Sequence, residues 1–369
     1  MIKLILNYTT LILLVGCTLL NVEAAANSIQ KVSDSGRNTD VTHVVVTVKG
    51  RVGIKRKNSH RYVRATPGMV ISRGDQIRRK KSSKITLLST DLNNIRDVPA
   101  GIQKVNYPIA KPILYSGRKK IIRPRGNGLS VVISPRRTRL INARPKIQWE
   151  TINNSTSYTI ILKSEGGKEW RFSTDSSANG ETIYPNNWPS LELGKIYLIN
   201  IVSDKGDSVN EPDLGFSLLD SSEAMSVRAA EARIQTLNLG YAKKRYLIAQ
   251  LYADHGLNAE AIDYLEALTR STNEMKSASM LMLGDLYLTV GLSRLAERAY
   301  LNALKLKRME GDLEGQAATQ YGLAQAYDEI GNRDEQIKWL SKAKSLYQYL
   351  EDRTKVKEIQ EALSKLTSR

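Results

Sequence analysis

Side chains able to hold a metal or carry a nucleophile are few in this chain. Its 369 residues include three histidines, His43, His60 and His255, and one cysteine, Cys17. Imidazole and thiolate are the usual zinc ligands and the usual partners of an activated nucleophile. Here they are scattered from position 17 to position 255. One cysteine makes no internal disulfide and no thiol pair. The chain has no Gly-x-x-x-x-Gly-Lys-Ser/Thr loop, no Gly-x-Gly-x-x-Gly before a helix, no Gly-x-Ser-x-Gly and no His-Glu-x-x-His. His255 precedes Gly256 in a turn, where polar residues are ordinary. Paired carboxylates would need two acids at one place, and the basic segment that holds His43 and His60 offers only Asp75, Asp91 and Asp97. The residue types point to binding instead of turnover, with no cofactor and no metal.

What the chain does offer is charge, and the charge is segregated. The formal net charge is +18. Residues 41–140 hold 24 Lys/Arg against three acids, net +21, residues 141–216 are net −3, and residues 1–40 and 217–369 are each net zero. Such a field attracts polyanions over roughly a Debye length, ~8 Å at physiological salt. The candidate anion-binding residues are Arg51, Lys55, Arg56, Lys57, Arg78, Arg79, Lys80, Lys81, Arg118, Lys119 and Lys120. Nucleic acid is not the expected partner. Aromatics for base stacking are sparse in this segment, which has Tyr62, Tyr107 and Tyr115 but no Phe or Trp.

The N-terminus reads as an export signal over residues 1–26. Lys3 gives a positive start, Leu11 to Leu20 an apolar core, and Ala24-Ala25-Ala26 a small-residue cleavage site. The apolar run is shorter than the ~20 residues of a spanning helix. Cleavage after Ala26 is one reading. A lipobox at Leu14-Val15-Gly16-Cys17, with lipid on Cys17, is the other. Both place the mature chain outside the cytosol, in the periplasm or at the outer membrane. With nucleic acid set aside, the expected ligand of the basic segment is an anionic envelope polymer or lipid surface.

Three compositions imply three modules to position these residues. Residues 42–115 read as all-β, with strands near Val44–Val48, Val52–Arg56 and Lys84–Leu88 and turns at Gly50, Pro67-Gly68, Gly74-Asp75, Asp91–Asn94 and Pro99–Gly101. Residues 116–130 read as a linker rich in Gly, Pro and like charges. Residues 131–213 hold about seven short strands, with Trp149 as a core residue and a hairpin turn at Gly166-Gly167. From 217 to 369 the period becomes helical. Gly256, Gly291 and Gly331 anchor a repeat, preceded by Ile248-Ala249-Tyr252, Leu283-Gly284-Tyr287 and Leu323-Ala324-Tyr327 and followed by Leu265, Tyr300 and Leu340. Small residues there let paired helices approach, and Tyr and Leu fill the gaps. A helix over 221–239 precedes the repeats, and a polar helix over 351–367 caps them.

These patterns carry three resemblances. Gly50-Arg51-Val52, then Pro67-Gly68 through Gly74-Asp75, then Ser83–Leu87 resembles the FecR-like domain of exported bacterial proteins. That likeness implies a periplasmic sensing or envelope-binding role and a structural Asp75. Pro145–Trp149 with Ser157-Tyr158-Thr159 and Gly194–Tyr197 resembles a fibronectin type III-like, immunoglobulin-type sandwich, implying a spacer. The repeats resemble tetratricopeptide repeats, although Gln336 replaces a small residue and the usual terminal Pro is missing. That family binds peptides on the helix-A face. The corresponding positions are Lys243, Tyr246 and Gln250 in repeat one, Leu281, Asp285 and Leu288 in repeat two, and Tyr321, Gln325 and Asp328 in repeat three. The expectation is a multidomain β plus α chain, an envelope scaffold or adaptor without enzymatic activity that holds an envelope protein or peptide. The alternative is a periplasmic sensor of a surface-signalling or stress pathway. The whole combination resembles exported proteins of cyanobacterial envelopes.

Overall fold

The computed structural model describes residues 41–89, 95–105, 132–152, 154–164, 167–175, 180–206, 208–209 and 215–367. The leader, Cys17, the turn at 91–94, Gly166 and the linker with Arg118, Lys119 and Lys120 lie outside the described residues.

The basic module contributes β1 (Val41–Lys49), β2 (Val52–Lys55), β3 (Val63–Arg64), β4 (Val70–Ser72), β5 (Gln76–Arg79), β6 (Lys84–Ser89), β7 (Ile95–Asp97) and β8 (Gly101–Lys104). They form two four-stranded sheets, ordered β4-β1-β6-β7 and β3-β2-β5-β8. Val44, Val45 and Val46 are consecutive and all buried. A strand points alternate side chains to opposite faces, so an apolar run of this kind needs cover on both sides. Val45 joins Ile54, Ile71, Ile77, Ile85 and Leu87 in the module's own core. Val44 and Val46, with Leu88, turn the other way and join the core of the helices. Asp75, 2% exposed, accepts the backbone N–H groups of Ser72 and Lys57 at 3.0 and 3.1 Å. It pins the turn that Gly74 opens with φ +94°.

The second module runs through β9 (Val132–Ser134), β10 (Thr138–Leu140), β11 (Lys146–Trp149), β12 (Ser157–Ser164), β13 (Glu169–Asp175), β14 (Glu181–Ile183), β15 (Ile196–Ser203), β16 (Ser208–Val209) and β17 (Gly215–Leu218). One sheet is ordered β10-β17-β15-β12-β13 with β16 on β15, and a smaller one is β14-β11-β9. Inward-facing residues of both sheets share one core. Trp149 and Tyr158 are each 2% exposed, their rings edge-on at 5.2 Å. The module ends later than the sequence reading placed it. Phe216 and Leu218 alternate inward on β17, which pairs with β10 and β15, so the strand carries the boundary from 213 to Leu218.

Eight helices follow among the described residues: α1 (Ser221–Thr236), α2 (Tyr241–Asp254), α3 (Asn258–Ser271), α4 (Lys276–Val290), α5 (Ser293–Glu310), α6 (Leu313–Ile330), α7 (Arg333–Tyr349) and α8 (Arg353–Thr367). Asp220 caps α1 by accepting from the Ser222 and Glu223 N–H groups. The repeat glycines Gly256, Gly291 and Gly331 all have positive φ, which ends one helix in a left-handed residue and turns the chain into the next. Tyr300, 0% exposed, is the wedge between repeats. A Cβ on Gly284 or on Gly322 would lie 2.5 Å from its ring, so two helix backbones close on it from α4 and α6. No described helix is long and apolar enough to cross a membrane.

Candidate binding faces

The sequence reading puts the binding face on α2, α4 and α6, the first members of each pair. Part of that face is already covered by the basic module. The Pro67-Gly68 turn sits against α2 and α4, where a Cβ on Gly68 would lie 2.7 Å from the Ala278 Cβ and 3.2 Å from the Tyr246 hydroxyl. Val44, Val46 and Leu88 extend this contact into the helical core. Polar bonds close its edges. Thr66 donates to Asp312 at 2.9 Å, beside the Lys307–Asp312 pair at 2.8 Å. The Arg56 guanidinium bridges Asp75, at 2.7 Å, and Glu314 on α6. Burial alone would depress the Arg56 pKa, but the two carboxylates outweigh it and hold the value above its ordinary level. The His60 N–H donates to Glu351 at 2.7 Å, and Arg61 stacks on Tyr349 at 4.3 Å.

This seating corrects part of the expected groove. Tyr246 is 5% exposed and buried under the Gly68 turn, so it anchors the module within its own chain and is not open to an incoming peptide. Lys243 pairs with Glu274 at 2.5 Å. Tyr321 donates to Glu358 on α8, and Lys355 lies over its ring at 4.8 Å. Asp285 accepts from the Tyr300 hydroxyl at 2.6 Å. Leu281, Leu288, Gln325 and Asp328 are half-buried. Gln250 keeps a buried Oε1 with no described partner.

The second module grips the turns between paired helices. The Arg139 N–H donates to the Gly256 carbonyl at 2.8 Å. Arg136, 2% exposed, donates through Nε to the Val290 carbonyl at 2.6 Å. A Cβ on Gly291 would lie 2.7 Å from the Arg137 guanidinium. Glu260 on α3 accepts the Ile141 N–H at 2.9 Å, and burial pushes its carboxyl up to about 7. In the third turn a Cβ on Gly331 would meet nothing within 4 Å. No spacing argument signalled this contact. Its one sequence trace is the Arg136-Arg137-x-Arg139 cluster.

The basic residues divide in two. Arg56 is internal, and Arg79 also works inside the fold. Its Nε donates to the Val98 carbonyl at 2.5 Å, and its Nη1 donates to the Lys80 and Ser83 carbonyls. Both are corrections to a patch read as free anion-binding cations. Arg78 covers the Tyr62 ring at 3.9 Å, with Lys55 at 5.8 Å. The side chain of Lys57 lies along Gly74. Arg51, Lys80 and Lys81 stay exposed, and the register adds Lys49, which the sequence reading missed, opposite Lys84.

The tetratricopeptide repeat family matches residues 317–352, which span α6 and α7. The C-terminus carries a tetratricopeptide repeat. Among solved structures, a Podosopora anserina kinesin light chain with nearly identical TPR-like repeats is 20% identical, covering 40% of this chain and 86% of its own, at a TM-score of 0.30. BtubC of P. vanneervenii is 16% identical over 40% and 73% at 0.29, and MamA is 17% identical over 40% and 90% at 0.29. A comparison with curated proteins returns no match.

Proposed function

We propose that the chain is an exported, non-enzymatic scaffold of the cell envelope, with a tetratricopeptide solenoid that binds protein and a basic β module that attaches to an anionic envelope component. In this reading β1–β8 is a FecR-like domain and β9–β17 a fibronectin type III-like spacer. The turn order Gly50, Pro67-Gly68, Gly74-Asp75 supports the first. Two sheets packed around Trp149 support the second.

The observation that carries the protein-binding role is the seating of a folded β module on the helix-A face. Stacked helix pairs present such a face as a contact surface, and here Tyr246 and Ala278 already hold the Gly68 turn. What that turn leaves for a partner in trans lies along Leu281, Asp285, Leu288, Gln325 and Asp328. The test uses the full chain as bait on an envelope extract, beside a Leu288→Ser/Gln325→Ala/Asp328→Ala variant of unchanged thermal midpoint. Prey that bind the natural chain and are lost from the variant are the expected result. The same prey on both would remove this face from the function.

A further inference from the structure

The end of the basic module away from Arg56 makes none of the contacts with the helices described so far. We propose that it is a membrane-surface contact for the phosphate headgroups of an anionic bilayer. The proposal rests on the attachment reading above and names its ligand.

Strand direction places the cations. Arg51 precedes β2 and Arg56 follows it, so the two lie about 16 Å apart at the strand rise of ~3.3 Å per residue. Arg56 faces the solenoid acid Glu314. Three turns converge at the Arg51 end. Ser83 Oγ donates to the Arg51 carbonyl at 2.9 Å. Gly50, with φ +77°, lets the first two turns abut, since a Cβ there would lie 3.0 Å from Ser83 Oγ. Arg79 joins the second and third turns through the Lys80, Ser83 and Val98 carbonyls. Its own charge is spent inside, and its neighbours' charges project outward.

Among the described residues none of Lys49, Arg51, Lys80 and Lys81 pairs with a carboxylate, whereas Lys84 meets Asp97 at 2.7 Å. Beside them Ile102 is 59% exposed, on the strand whose Gly101 pairs with Arg79. Four exposed cations at strand ends and turns, with an isoleucine on β8, fit a bilayer surface, which takes ammonium groups at its phosphates and an apolar side chain at the acyl boundary. A nucleic acid strand is the poorer fit: among the described residues of the module the one aromatic ring, Tyr62, is covered by Arg78 and not bare for stacking.

The test is co-sedimentation of the full chain with vesicles of phosphatidylcholine alone and of phosphatidylcholine mixed about 2:1 with phosphatidylglycerol. A basic residue at an anionic surface strengthens binding about fivefold. Retention is expected on the mixed vesicles only, weakened about 25-fold by Lys80→Gln/Lys81→Gln and about tenfold by Ile102→Ser, with thermal midpoints unchanged. Equal retention of Lys80→Gln/Lys81→Gln and the natural chain would overturn the proposal. So would tighter binding to soluble heparin than to vesicles, which keeps an anionic attachment but assigns it to a polymer. Failure to bind either probe would overturn both this proposal and the attachment reading.

Discussion

Replacing Gly68 with alanine tests whether the basic module is seated on the helices. Gly68 has φ +85°, where an L-residue costs roughly 1–2 kcal/mol. Its new Cβ would stand 2.7 Å from that of Ala278, about 1 Å inside normal carbon contact. Ala278 is 6% exposed and fixed on α4, so the module must lift or the helix must shift, at about 1–3 kcal/mol. The expected total is about 2–5 kcal/mol, a large part of an ordinary folding free energy of about 5–15 kcal/mol. The backbone part is local to the turn, most of the steric part belongs to the pair, and the rest to Tyr246, whose hydroxyl the new Cβ would approach to 3.2 Å. Ala278→Gly removes only the contact within the pair. Urea denaturation of the full chain, the two single variants and the double variant measures the difference. Gly68→Ala should cost about 1–3 kcal/mol less in the presence of Ala278→Gly than in its absence. An equal cost in both backgrounds would refute the seating.

Two further outcomes follow from buried groups. Glu260 titrates at about 7 in the folded chain against 4.5 ordinarily, so between those values the folded state keeps a proton that the unfolded state releases. Stability therefore falls as pH rises through that window, by at most about 3 kcal/mol. Glu260→Gln should flatten most of the fall in urea midpoints between about pH 5 and pH 8, leaving a smaller slope from Asp263, whose carboxyl burial also pushes up; an unchanged profile would place the titration elsewhere. Gly322→Ala would stabilise an ordinary exposed helix by about 1 kcal/mol, but here the Cβ meets the Tyr300 ring at 2.5 Å. The expected sign is therefore reversed, a net loss of about 1–2 kcal/mol in calorimetry; a raised thermal midpoint would show that Tyr300 does not fill the gap.

The helices were the most legible part of the sequence. Three glycines at helix ends and small residues at fixed offsets are local signals, and all three glycines take the left-handed turn. The strands of the basic module were legible for the same reason, as β-branched runs between turn residues. The apolar run Val44–Val46 held more than was read from it. Continuous apolar residues in a strand call for two covered faces, and the second cover is the helical core. The partner of Arg56 lies 258 residues along the chain, beyond any local pattern. Charge counting treated Arg56 and Arg79 like Lys80 and Lys81, because composition does not distinguish a cation satisfied by carboxylates and carbonyls from one left in water. Tyr246 lies on α2, but the turn that covers it comes from the same chain and left no periodic trace.

Helical repeat arrays behave as springs, because each unit touches only its neighbours and the stack can widen or fray from either end. The basic module changes that mechanics. It touches α2 at Tyr246, α4 at Ala278, α6 at Glu314 and the turn between α7 and α8 at Glu351, which makes it a strut across the repeats. Moving one of these helices strains the same module that touches the others, so α2, α4 and α6 are coupled beyond their nearest neighbours.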